Sequence, residues 1–132
     1  MKADLSGNRK TIVFGDDHVV IPKYIAGIAG GRTLDVTGIT DTYLKAGHVI
    51  IRQTSTGTYK PLGVTSGAYV ALPEGHTYAG ILATTVLTSN PSAPIMTNGQ
   101  VNETASPYPV ASIKAAIVAA LPTIQFVKDE EA

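Results

Sequence analysis

Apolar residues along this chain fall in short runs separated by Gly, Pro, Ser, Thr and Asn, a pattern that favours strands over helices. "TIVF" (11–14) and "HVVIPKYI" (18–25) are rich in Val and Ile, which suit a pleated, half-buried surface. Pro22 puts the second run on a sheet edge or ends it early. "AGIAGGRTLDV" (26–36) reads as a loop leading to a short strand near Leu34. "GHVIIRQTSTGTYKPLGV" (47–64) has the form of a hairpin, with Val49 to Arg52 going out, "TSTG" turning and Tyr59 to Leu62 returning. "AYVAL" (68–72) is a further strand that Pro73 stops. "YAGILATTVL" (78–87) is apolar almost throughout, so both of its faces are expected to be buried. Gly80 within it predicts a bulge or a close backbone approach. "APIMT" (93–97) and "QVN" (100–102) flank Asn98-Gly99, a two-residue hairpin signal.

One segment has helical spacing. In "PVASIKAAIVAAL" (109–121), Ile113, Ile117 and Leu121 recur every four residues. Ala116 and Ala120 fall on the same side, which predicts a flat face set close against a sheet. Pro109 suits a first helical position and Pro122 a stop, after which "TIQFV" (123–127) gives a last strand. The expected fold is therefore mainly β (α+β): a small β-barrel or sandwich with one short C-terminal helix and an extended N-terminal arm. The division expected is 1–43 for the arm and lead-in strands and 44–132 for a β-rich domain.

Composition narrows the partners. With 132 residues and 44% hydrophobic content, the chain supports one sizeable core. Charged residues are only 15%, below the usual quarter, which suggests that a partner covers part of the surface. The formal net charge is zero and no Lys/Arg run occurs, so no nucleic-acid partner is expected. The tail "KDEEA" reads as a solvated end. The first residues lack the long apolar core of a signal peptide, and no apolar stretch approaches a membrane helix, so no membrane partner is expected. There are no cysteines, which excludes disulfides and thiolate metal sites.

Candidate chemistry is sparse. Asp16, Asp17 and His18, with His48 and His76 elsewhere, are the residue types that bind a divalent metal. Adjacent side chains in a strand point to alternate faces, however, so this cluster reads as a turn. No Ser lies in a nucleophile elbow, since Ser6 and Ser66 merely precede Gly. "GIAGG" (27–31) lacks the Lys-Ser/Thr and the spacing of a phosphate loop. Glu74 and Glu103 have no evident partner for a glycosidase pair. The six dispersed tyrosines could stack on sugars but read as residues of the core margin. No enzyme activity and no cofactor are expected.

The order "AGHVIIR" (46–52), "GTYKPL" (57–62), "YAGILATTV" (78–86), "APIMTNGQVN" (93–102) and "SIKAAIVAALPTIQFV" (112–127) resembles the lambda-type head decoration proteins of tailed bacteriophages. The resemblance covers roughly residues 44 to 127. The run from Ile25 to Ile50 is also similar to head-fibre or auxiliary capsid proteins of Bacteroides phages. What the resemblance implies is a structural virion protein that binds the outer capsid surface and stabilises the head. It would be made in the host bacterial cytoplasm, with the major capsid protein as partner, a homo-trimer as possible assembly and a head fibre as possible cargo. An N-terminal arm that adds a strand to the shell is part of that implication, and "RKTIVF" or "HVVIPKYI" supplies the matching material, in an N-terminal portion longer than the family carries. The capsid-contact residues it suggests are Arg9, Lys10, Ile12 and Phe14 in the arm, with Lys23 and Arg32 pairing to acidic capsid groups. The alternative is a head-fibre or receptor-binding module that recognises surface glycans through tyrosines such as Tyr59 or Tyr69.

Overall fold

The computed structural model describes residues 17–128, with side chains from Val19 onward. A single helical turn, α1 (Asp17–Val20), precedes β1 (Lys23–Gly27) and β2 (Arg32–Thr33). Then come β3 (Tyr43–Leu44), β4 (Val49–Gln53), β5 (Tyr59–Pro61), β6 (Val64–Thr65) and β7 (Ala68–Tyr69). β8 (His76–Leu82), β9 (Val86–Leu87), β10 (Ser92–Ala93) and β11 (Ile95–Asn102) follow, and α2 (Lys114–Ala120) and β12 (Ile124–Val127) close the chain.

The main sheet runs β1-β11-β8-β4-β5, with β12 beside β11. It is open, with β1, β5 and β12 each paired on one side only among the described residues, so the fold is mainly β with one short C-terminal helix but no barrel closes. β11 is the hub. One of its sides takes β1 antiparallel, while the other is divided between β8 at Ile95 and Met96 and β12, parallel, from Gly99 to Asn102. Three two-stranded ribbons, β2·β10, β3·β9 and β6·β7, cover the sheet's surroundings.

The central strands are apolar at successive positions because both faces are buried. Val49 and Ile51 pack in one cluster with Ile81, Met96, Val101, Ile117 and Ile124. Their neighbours Ile50, Leu82 and Ile95 pack in the other with Leu34, Leu44 and Ala93. Side chains alternate across a strand, so consecutive apolar residues feed two cores. The two-sided burial expected for 78–87 holds at Ile81 and Leu82, both at 0% exposure. The run does not continue as one strand, however: β8 ends at Leu82, and Val86–Leu87 turns away to pair with β3. The close approach expected at Gly80 is present. A Cβ there would lie 2.6 Å from both Met96 O and Ile95 Cγ2, and the β4–β8 register shifts beside it.

Other expectations change. "TIVF" lies outside the described residues. "HVVIPKYI" divides at Pro22 into α1 and β1. The hairpin at 47–64 forms, with Gln53 N–H donating to Thr58 O across the turn. Asn98-Gly99 is not a turn: β11 runs straight through it, because Gly99 pairs with Tyr24 on one side and Ile124 on the other. The tight hairpin is instead at Ser66-Gly67, where both residues have positive φ (53° and 76°), as a type I′ turn requires. α2 begins at Lys114 rather than Pro109 and seats its Ile113–Ile117 row on the core. Ala116 and Ala120 face solvent, so they are not the packing surface. From the 1–43 segment, Val20 and Ile21 join the first cluster and Leu34 the second.

Two substitutions test this packing by urea denaturation. Ile117→Ala should lower stability by about 2–5 kcal/mol, since Ile117 is the one residue of α2 that is fully buried. Gly80→Ala should cost about 1–3 kcal/mol, because the added methyl meets backbone of β11 that cannot rotate away. A neutral Gly80→Ala would mean that β8 and β11 can separate there without loss.

Candidate functional site: the free sheet edge and the His48 cleft

β1 is an edge strand whose first four residues, Lys23 to Ala26, are all exposed. Tyr24 is 51% and Ile25 54% exposed, the largest values among the exposed large hydrophobic residues described. A register shift between Tyr24 and Ala26 leaves Ile25 unpaired with β11. The outer side of β1 therefore combines strand backbone with apolar side chains. Lys23 stands at its start, exposed.

Arg32 is not a free cation beside it. Its Nη1 donates to Gly31 O (2.6 Å) and Ala29 O (3.1 Å), and its guanidinium lies 5.7 Å from the Tyr59 ring centre. Lys23 and Arg32 belong to different sheets. Arg9, Lys10, Ile12 and Phe14 lie outside the described residues.

A second feature lies where β3 turns into β4. Gly47 adopts φ +93°, closing the turn in which His48 N–H donates to Lys45 O (3.2 Å). A Cβ at Gly47 would come within 3.1 Å of Pro107 Cδ, so the 106–108 loop sits over this point. His48 is drawn inward to 5% exposure. Its Nε2 donates to Leu62 O at 2.9 Å. A carbonyl oxygen only accepts, so Nε2 carries the proton and Nδ1 holds the lone pair of the neutral ring. Tyr69 and Tyr108 meet the imidazole edge-on at 5.3 and 5.8 Å, and meet each other at 5.6 Å. Beside this cluster opens a cleft of about 470 Å³, lined among others by Asp41, Tyr43, Lys45, His48, Pro107 and Tyr108.

The electrostatics follow from burial. Desolvation depresses the His48 pKa, while the hydrogen bond to Leu62 and the Asp41 charge partly oppose it. Burial raises the Tyr69 hydroxyl far above the ordinary phenol range, against the Val49 N–H that donates to it at 3.3 Å. Tyr69 is 6% exposed, so it offers no stacking face and drops out as a glycan contact, while half-buried Tyr59 is occupied by Arg32. Burial also raises Tyr78. Asp35 is held below the usual carboxylate range by the Thr37 hydroxyl and N–H.

Among the described residues, no three His, Asp or Glu side chains come together as a metal-binding group. His48 and His76 stand at opposite ends of the β4–β8 ladder, where Val49 pairs with Ile81 and Gln53 with His76. His76 Nδ1 donates to Glu74 O at 2.9 Å. Asp16 and the Asp17 and His18 side chains lie outside the described residues. Glu103 has a cation, not a second carboxylate, as partner: Lys114 Nζ donates to it at 2.9 Å and ties α2 to the end of β11.

The buried imidazole has a measurable consequence. The His48 pKa in the folded chain lies below the unfolded value of about 6.5. Between the two values the unfolded chain binds a proton that the folded chain does not. Stability from this source is present above pH ~6.5 and is lost as pH falls through the folded pKa. The groups around the ring are Asp41, Tyr43, Lys45, Tyr69 and Tyr108. Urea midpoints from acid to neutral pH should fall below pH ~6.5, and His48→Gln should remove that share of the decline. Identical pH profiles for the two proteins would exclude a neutral, buried His48.

No protein-family model matches the chain, and neither a curated protein nor a solved structure matches it.

Proposed function

We propose that this chain is a non-catalytic structural subunit of a bacteriophage virion, which binds the outer surface of the head and stabilises the assembled shell. The observation that carries the reading is the outer edge of β1, unpaired among the described residues, where Tyr24 and Ile25 are exposed on a strand continuous with the main sheet. Such an edge accepts a further strand by backbone hydrogen bonds, and its side chains set the register. The order of elements also supports it: β4, β5, β8, β11, α2 and β12 coincide with the segments that carry the resemblance to lambda-type decoration proteins. The partner in this reading is the major capsid protein, with a homo-trimer as the form that engages the lattice and a head fibre as possible further cargo. A ligand that binds only the assembled shell stabilises it by mass action, and many copies multiply a modest affinity.

The test is co-sedimentation of the purified chain with expanded, empty heads, alongside sedimentation equilibrium of the free protein. Binding should saturate at a copy number matching a repeated lattice position. Ile25→Lys places a charge on the exposed edge without touching the core, and should weaken binding about tenfold or more. Equal binding to unassembled capsid protein and to heads would overturn the decoration role. Unchanged binding by Ile25→Lys would remove the β1 edge as the contact.

A further inference from the structure

The His48 cleft has a chemistry that the capsid reading does not use. Among the described residues, His76 Nε2 is the one buried side-chain polar atom both sealed from solvent and without a partner. His48 makes its ring hydrogen bond through Nε2, to Leu62 O at 2.9 Å. His48 is only 5% exposed and lines the cleft. A buried imidazole held in one tautomer by Leu62 O therefore lines a cavity of about 470 Å³. That volume lies within the roughly 300–1,000 Å³ of small-molecule sites.

The lining selects a ligand by elimination. A carboxylate has no donor for His48 Nδ1, and the Asp41 carboxylate at the same opening repels carboxylates and phosphates alike. Lys45 on the same lining disfavours a cation. What remains is neutral and carries hydroxyls that both donate and accept. Such groups can donate to His48 and Asp41 and accept from Lys45. Tyr43, Pro107 and Tyr108 supply the apolar surface on which the C–H face of a sugar ring packs. The geometry points to this cleft as a binding site for a neutral saccharide, with one ring hydroxyl donating to His48 Nδ1 and its neighbours shared between Asp41 and Lys45. The site is separate from the β1 edge and does not depend on the capsid reading.

NMR of the full chain, isotopically labelled, tests this with neutral methyl glycosides of glucose, galactose, mannose, N-acetylglucosamine and fucose, each taken to about 50 mM so that millimolar binding is visible. At least one glycoside should shift the His48 ring signals and the backbone signals of 41–45 and 107–108. Asp41→Asn removes a charged acceptor from an exposed position and should weaken that binding about tenfold, while Ile25→Lys should leave it unchanged. Methyl phosphate, acetate, methylammonium and uridine serve as competing probes. Failure of all five glycosides, shifts confined to other surfaces, tighter binding of a competing probe, or an Asp41→Asn variant that binds as well as the parent would each overturn the proposal.

Discussion

Burial of both faces of β4, β8 and β11 is the constraint from which the rest of the molecule follows. Val49, Ile50 and Ile51 are consecutive and almost wholly excluded from water, as are Ile81 with Leu82 and Ile95 with Met96. Consecutive strand residues point to opposite faces, so each pair demands cover on two sides. One side is covered by α1, α2 and the Tyr69 ribbon, the other by the segment around Leu34 and Leu44 and the ribbon at Ala93. Small ribbons and one short helix suffice because each need supply only a few side chains to a core already rich in Ile, Val and Leu.

Among the described residues, that arrangement leaves Val19, Tyr24, Ile25 and Val118 as the exposed large apolar side chains. Among the described residues, β5, β1 and β12 each pair on one side only within the sheet. At β1 the side chains that an isolated protein would replace by charge are Tyr24 and Ile25. A different exception arises where the covering loops meet. His48, at the entry to β4, is drawn under Pro107 and Tyr108 by the turn at Gly47, and burial favours its neutral form at the wall of the cleft. One surface offers backbone and apolar area; the other offers a cavity with mixed, convergent polarity. They suit partners of different size and chemistry.

The sheet interior was legible from runs of Val, Ile and Leu, since hydrophobic content and β-branching bear directly on burial in a strand. Gly80 was legible as a close approach for the same local reason. The His48 site was not. Nothing around "KAGHVI" separates a buried, neutral imidazole from an exposed one, and the residues that enclose it, Tyr69 and Tyr108, lie far along the chain. Gly47 before His48 was the available signal, a turn that only tertiary packing turned inward.

By itself the sequence determined a mainly β chain with one late helix, a two-sided core and no thiol chemistry, because composition and periodicity act residue by residue. Tertiary structure decided what depends on competition between segments. Asn98-Gly99 has the local preferences of a hairpin, yet pairing with β1 and β12 on its two sides holds it extended. Ser66-Gly67 turns instead, where no neighbouring strand competes for its backbone. Ala116 and Ala120 share the helix with the Ile row, but the larger side chains bury more apolar surface and so set which face of α2 meets the sheet. The sheet stays open: β11 takes β1 on one side and shares the other between β8 and β12, a sharing of hydrogen bonds that no local pattern encodes.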